Sequence, residues 1–467
     1  MSIRLYNSLT GQKETFAPIE PGVVRMYSCG PTVYNYFHIG NARAFVVFDI
    51  VRRYLRYRGY SVKFVQNFTD VDDKLIKRAH EQGTTVEDVA TSYIEAYYDD
   101  ARELGIEPAD VHPRVTETMG DIIEFIQALV DSGYAYVADG DVLFDTPKFS
   151  SYGKLSKQSL NDLEVGSRVE MTERKRHSTD FTLWKAVKPG EPSWNSPWGQ
   201  GRPGWHIECS AMIHKHLGDH IDIHGGGHDL LFPHHENEIA QSESVLGAPL
   251  AKYFMHNGYI NINNEKMSKS LGNSVFVREL AQQYDPRALR LFLLSAHYRS
   301  PINYSAEVMA QMTSALRRLD ACHESLADRL GETYLPEGES IDLKAWEDRF
   351  LEAMDDDINT GDAMGVVFDF VRDANVYSHQ QEISKAGLRS WLGKLRDWLD
   401  LFGLAQVEQP LLEEQVVRLI EERTAARKAR DFARADAIRA ELSEMGFQLE
   451  DTPKGVRWWR ERSWRER

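Results

Sequence analysis

Between residues 23 and 69 the chain alternates strand, helix and strand, and this alternation constrains its fold more than any other feature. Val23 to Cys29, VVRMYSC, is the β-branched and apolar run of a buried strand. A short loop, GPTVYNYFHIG, follows. Asn41 to Arg56 then sets Val47, Ile50, Val51, Tyr54 and Leu55 at helical spacing on one face. Arg58-Gly59 closes that helix, and SVKFVQNFT reads as a second strand. Two strands joined by a helix pair in parallel through a right-handed crossover, so the spacing predicts an α/β protein with a parallel sheet.

Downstream the pattern changes several times. Thr84 to Glu87 reads as a capping box ahead of a helix ending near Gly105, and Glu117 to Gly133 reads as another helix. Tyr134 to Val137, the turn pair Asp139-Gly140, and Val142 to Phe144 predict a hairpin. The stretch KPGEPSWNSPWGQGRPG reads as an irregular loop, and Ala306 to Phe402 as a helix bundle. At roughly 150 residues per domain, 467 residues suggest about three domains. The expected division places the α/β domain in two halves, 1–115 and 201–250, around a mixed insertion at 116–200. A connecting region (251–305), the bundle (306–403) and a small C-terminal domain (404–467) follow.

Lys and Arg number 55 against 71 Asp and Glu, a net charge of −16. That disfavours a protein that coats nucleic acid by bulk attraction. A local exception lies in the tail: residues 452–467 carry six basic residues against Glu461 and Glu466, with Trp458, Trp459 and Trp464 interleaved. Arginine planes and aromatics together suit unstacked bases. No apolar run approaches the roughly 18 residues of a membrane span, and MSIRLYNSLTGQKETF lacks the layout of a secretory leader. The three cysteines, Cys29, Cys209 and Cys322, point to a reducing compartment. A cytoplasmic, monomeric protein is the expectation.

Candidate chemistry concentrates in one segment, where eight of the sixteen histidines fall between His206 and His235. His234 and Glu238 are spaced i, i+4, so both project from one face of a helix. Cys209 lies upstream, and Cys29 ends the first strand, where open α/β sheets bind ligands. Cys, Cys, His and Glu would suit Zn²⁺, with His224, His228 and His235 as spacing-compatible alternatives. The run Gly225-Gly226-Gly227 before Asp229 would let backbone approach a phosphate or ribose. In KMSKS, Lys266 and Lys269 lie among the small hydroxyl residues Ser268 and Ser270 and could reach an anionic leaving group.

Taken together, HIGN and KMSKS resemble the class I aminoacyl-tRNA synthetases. CGPTVYNYFHIGNAR, NFTDVDDK, GWHIECSAM, HGGGHDLLFPHHENEIAQSE and the tail ADAIRAELSEMGFQLEDTPKGVRWW resemble the cysteinyl-tRNA synthetase family in particular. The resemblance implies a Rossmann-like catalytic domain split by a connective insertion, a KMSKS and stem-contact region, a helical bundle and an anticodon-binding domain. Its implied activity joins L-cysteine to tRNA(Cys) through a cysteinyl-adenylate, releasing AMP and pyrophosphate. It implies one Zn²⁺ per subunit on Cys29, Cys209, His234 and Glu238, selecting the substrate thiol against serine, and ATP with Mg²⁺. His38 and Asn41 would meet the ATP phosphates, Asn41 standing where many class I enzymes carry histidine. Lys266 and Lys269 would stabilise departing pyrophosphate. Gly30, Thr69, Asp70, Trp205 and His206 would border the amino acid, with Asp72 and Asp73 as alternative holders of its ammonium. Gly227 and Asp229 would contact the ribose, and Arg457, Trp458, Trp459 and Arg460 the tRNA. A related family that joins cysteine to an amino-sugar lacks such a tail.

Overall fold

A computed structural model describes residues 2–158, 174–267, 273–332, 334–380, 382–405, 410–429, 431–444, 447–452 and 455–460. It opens with a hairpin that no sequence signal predicted, β1 (Arg4–Asn7) with β2 (Gln12–Thr15). The strand–helix–strand unit follows as β3 (Val23–Ser28), α1 (Ile39–Tyr57) and β4 (Ser61–Gln66). Next come α2 (Asp73–Gln82) and α3 (Val86–Glu103). The capping box of α3 is Thr85 with Asp88, one residue beyond the predicted pair. Thr85 Oγ1 accepts the Asp88 N–H, and Asp88 returns the bond to the Thr85 N–H.

The insertion holds α4 (Met119–Asp131), β5 (Ala135–Ala138), β6 (Asp141–Phe144), β7 (Phe181–Ala186), β8 (Trp194–Ser196) and β9 (Gly199–Pro203). Asp139 and Gly140 both take positive φ, 49° and 83°, as a two-residue hairpin turn requires. The stretch expected to be an irregular loop instead contributes two strands, correcting that expectation. β9 pairs with both β7 and β8. Pro192 and Pro197 fall outside the paired residues, so they punctuate the strands without removing a ladder donor.

After the insertion come α5 (Ile207–Leu217), β10 (Ile221–Gly227), α6 (Glu236–Leu246) and β11 (Ala251–Asn257). The parallel sheet has the order β11-β10-β3-β4, so both sides of the insertion build it. From the central pair β3 and β10, the chain moves outward to β4 on one side and to β11 on the other. The carboxyl ends of β3 and β10 therefore flank the switch point where such sheets form a ligand crevice.

Beyond the sheet, β12 (Ile260–Ile262) pairs with β13 (Glu265–Lys266) and, after α7 (Val277–Ala281) and α8 (Pro286–Leu294), with β14 (Ile302–Tyr304). Four helices make the bundle: α9 (Ala306–Leu330), α10 (Lys344–Asp355), α11 (Thr360–Ser378) and α12 (Lys385–Leu401). Phe350 stacks on Trp398 in its core, ring centres 4.6 Å apart. Then come α13 (Pro410–Lys428), α14 (Phe432–Glu444), β15 (Phe447–Thr452) and β16 (Gly455–Arg460). The basic tail is thus in part an antiparallel hairpin, with Trp458 opposite Leu449 and Trp459 opposite Gln448. Trp464 lies outside the described residues. Among the described residues no helix is long and apolar enough to cross a membrane.

One buried polar cluster ties the sheet domain to the bundle. Asp49 of α1 accepts from Arg52 Nη2 (2.8 Å), Arg53 Nε (2.8 Å) and Arg290 Nη2 of α8 (2.5 Å). Arg290, wholly buried, also donates to the carbonyls of Leu104 and Phe402. Gly403 follows at φ +64°, and a Cβ there would stand 2.6 Å from Arg290 Nε. The close approach and the left-handed backbone both call for glycine.

Candidate active site

A cleft of about 560 Å³ opens at the switch point, lined by Cys29, Gly30, His38, Asn41, Gly227 and Asp229 among others. Gly30 is required there: a Cβ would collide with the Asn67 carbonyl, while its own N–H donates to Asn67 Oδ1 at 2.9 Å. His38 is the N-cap of α1. Its Nδ1 accepts the Asn41 N–H at 3.2 Å, and Asn41 Oδ1 accepts the His38 N–H at 3.4 Å. A neutral ring that accepts at Nδ1 carries its proton on Nε2. The start of α1 thus presents an imidazole N–H and a positive helix end to the cleft.

The KMSKS segment meets this motif. Met267 packs so closely over Gly40 that a Cβ there would lie 2.6 Å from its Cε. On the far side of the segment, Ile39 N–H donates to the Val275 carbonyl and Val277 N–H to the Phe37 carbonyl. Lys266 lies in β13, opposite Asn261; Lys269 lies outside the described residues.

At the floor, ligand atoms of Cys29, Cys209, His234 and Glu238 lie within 4.8 Å of one another, and so do those of Cys29, His224, His235 and Glu238. Cys29 Sγ stands 3.9 Å from Cys209 Sγ and 3.6 Å from Glu238 Oε1; His234 Nε2 stands 3.6 Å from Cys209 Sγ and 2.8 Å from Glu238 Oε1. Metal bonds of about 2.0–2.3 Å give tetrahedral edges of roughly 3.3–3.8 Å, so three of these four edges have the right scale. The short His234–Glu238 edge is that of a direct hydrogen bond. α6 begins only at Glu236, yet His235 already has helical φ and ψ (−68°, −31°), which preserves the i, i+4 juxtaposition.

In the first set every neighbouring histidine has a task. His206 Nδ1 meets His234 Nδ1 at 2.9 Å, and His224 Nε2 binds Glu238 Oε2. His235 Nε2 touches Cys29 Sγ at 3.3 Å and passes through His256 to Ser8 Oγ, in the loop after β1. In the second set Cys209 and His234 would instead be left to bond each other, at 3.6 Å, with His206 behind His234. The donor chemistry of the first set, two sulfurs with one nitrogen and one oxygen, fits zinc.

Electrostatics agree with a cation-binding cluster. Burial raises the Cys29 thiol well above its ordinary value, while the Cys29 hydrogen bond and His234 draw Cys209 down to about 6. Burial works against both charges of the His234–Glu238 pair, yet Glu238 and Cys209 carry His234 up to about 10. His224 and His234 hold Glu238 well below the carboxylate range. Within the cluster His234 balances two anionic donors, and a divalent cation would satisfy the same donors with His234 neutral.

Trp205 is 38% exposed, stacked on the His234 ring with centres 4.4 Å apart. Other predicted residues have partners within the protein. Thr69 donates to the buried Glu208, and Asp70 accepts from the N–H and hydroxyl of Thr116. Asp72 caps α2, and Asp73 pairs with Lys185 and Arg202 of the insertion. These carboxylates are engaged within the protein. Asn67 and His256 carry no signal in the sequence as site residues, because they acquire their role only through the sheet. His224 has one, as a spacing alternative.

A parallel sheet whose switch-point cleft is lined by the HIGN helix start, with Met267 packed over Gly40, marks a class I aminoacyl-tRNA synthetase. Residues 15–314 match the family described as tRNA synthetases class I (C) catalytic domain, 349–406 the DALR domain, and 409–460 the cysteinyl-tRNA ligase anticodon binding domain. Curated cysteine–tRNA ligases of Geobacillus thermodenitrificans and Shouchella clausii are 55% and 56% identical over 461 residues, 98% of this chain and 99% of each relative. The chain belongs to the cysteine–tRNA ligase family. In fold it is similar to Mycobacterium tuberculosis methionyl-tRNA synthetase in complex with methionyl-adenylate, at a TM-score of 0.59 and 16% identity over 82% of this chain and 90% of that one. An Agrobacterium radiobacter K84 LeuRS–tRNA–LeuAMS complex gives 0.58 and 12% over 83% and 84%.

Proposed function

We propose that the protein charges tRNA(Cys) with L-cysteine in two steps. The observation that carries this reading is the Cys29, Cys209, His234 and Glu238 donor set at the floor of a cleft whose wall is the HIGN helix start. The cysteine carboxylate attacks the α-phosphorus of ATP, and the bond to pyrophosphate breaks. A ribose hydroxyl at the tRNA 3′ end then attacks the acyl carbon, and AMP departs. Neither step uses a protein nucleophile, so the residues act by positioning and by stabilising charge. His38 Nε2–H and Asn41 hydrogen-bond the α-phosphate, with the α1 N-terminus behind them. Lys266 and Lys269 bind the departing pyrophosphate, Gly227 and Asp229 the ribose, and Mg²⁺ accompanies ATP. Cys29, Cys209, His234 and Glu238 would hold a zinc ion, a borderline-soft Lewis acid that would favour a thiolate over a hydroxyl. Trp205 and Gly30 wall the amino-acid side, and His206, His224 and His235 orient the donors.

The test is charging of total tRNA with labelled cysteine or serine in the presence of ATP. Cysteine on RNA with negligible serine is the expected result. Cysteine-dependent pyrophosphate release with unlabelled tRNA would overturn it in favour of a small-amine ligase.

We assign residues 404–467 to anticodon reading, with Arg457, Trp458, Trp459 and Arg460 on β16 as contacts. Removing residues 455–467 is expected to lower tRNA charging at least about tenfold while sparing cysteine-dependent ATP–pyrophosphate exchange. Equal loss of both would show that the hairpin serves folding instead.

A further inference from the structure

Lys74 is the only lysine or arginine among the described residues lining the cleft. It is the second residue of α2, where the helix dipole favours anions and a cation raises local free energy. Asp72 spends its carboxylate on the Lys74 N–H, and Asp73 spends its own on Lys185 and Arg202. Among the described residues no carboxylate pairs with the Lys74 ammonium. That group stands instead 5.7 Å from the Tyr34 ring centre and 5.9 Å from that of Trp205. Two aromatic faces thus hold a cation at the cleft in a position that helix stability opposes.

The topology says which anion it meets. The adenosine side of the cleft lies at β10, through Gly227 and Asp229, and the phosphate side at the start of α1. α2 follows β4, on the opposite side of β3 from β10. Through Asp73 it abuts β7 and β9 of the insertion. In the charging reading ATP and the cysteine carboxylate meet at α1, which leaves the third substrate as the anion for the β4 side. A cation held beside partly exposed aromatic rings suits single-stranded nucleic acid, with the cation on a phosphodiester.

We propose that Lys74, with Tyr34 and Trp205 beside it, binds a backbone phosphate of the tRNA 3′ end and steers the terminal ribose to the adenylate. This rests on the tRNA-charging reading above. The experiment compares Lys74→Met and Lys74→Arg with the wild type in two assays, cysteine-dependent ATP–pyrophosphate exchange and single-turnover transfer from preformed adenylate to tRNA(Cys). In Lys74→Met, transfer is expected to fall at least about tenfold further than exchange, chiefly in apparent tRNA affinity, with Lys74→Arg restoring most of it. Equal loss in both assays would assign Lys74 to ATP or to the cysteine carboxylate and overturn the proposal. Unchanged transfer would overturn it as well, leaving Lys74 a solvated side chain. If the wild type transfers no cysteine to tRNA, the charging reading itself fails.

Discussion

Replacing Cys209 with alanine is expected to strip the protein of bound zinc and to lower cysteine activation by more than about 100-fold. Loss of partners outside the first coordination shell already costs about 10–100-fold in metal affinity or activity, and the proposed zinc site puts Cys209 within that shell. It stands 3.9 Å from Cys29 Sγ and 3.6 Å from His234 Nε2, so its removal leaves three donors of four. Metal analysis of the purified variant, with circular dichroism to confirm folding, reads the result. The structure also offers the rival set of Cys29, His224, His235 and Glu238. If that set held the ion, Cys209→Ala would keep its zinc and His235→Asn would lose it. Zinc retained by Cys209→Ala with full cysteine activation would refute the assignment.

Asp49→Asn should be the most destabilising conservative change in the α/β domain, by about 3–5 kcal/mol at neutral pH. The substitution keeps the shape and removes the charge that three arginine side chains share, two of them, Arg52 and Arg290, fully buried. Burial alone would raise the Asp49 carboxyl, but Arg290, Arg53 and Arg52 together hold it below its ordinary value. A carboxyl depressed in the folded state contributes stability above its unfolded pKa and loses it as pH falls through the folded one. The gap between wild type and variant should therefore persist at neutral pH and close only in acid, below the usual carboxylate range. Urea midpoints across pH measure it. A loss under about 1 kcal/mol would mean that the carbonyls of Leu104, Phe402 and Pro108 satisfy the arginines without Asp49.

Local order was legible wherever a residue's own neighbours decide it. The α1 face, the Asp139-Gly140 turn and the bundle follow from spacing and from the φ each turn residue allows. The Thr84–Glu87 box missed by one residue because Thr84 and Thr85 offer the same hydroxyl, and only the geometry of the first turn picks Thr85. The stretch after Lys188 departs from its local signals for a different reason. Its prolines and glycines read locally as turns, yet Gly199, Gly201 and Pro203 lie in β9, which is a strand because β7 lies beside it, and that neighbour is remote in the chain.

The sequence by itself determined the parallel α/β unit, the helical bundle, the motifs that mark the class I synthetases and the residue types fit for a soft metal. These rest on periodicity and on side-chain chemistry, which each short segment carries with it. Tertiary structure alone decided which of several spacing-compatible donors converge, that Asp70, Asp72 and Asp73 are engaged within the protein, and that Lys74 borders the cleft. It also decided that Asp49 joins α1 to the bundle's end. The physical reason is the same in each case: β3 and β10 lie far apart in sequence, and only their parallel pairing brings Cys29 beside the segment from Cys209 to Glu238.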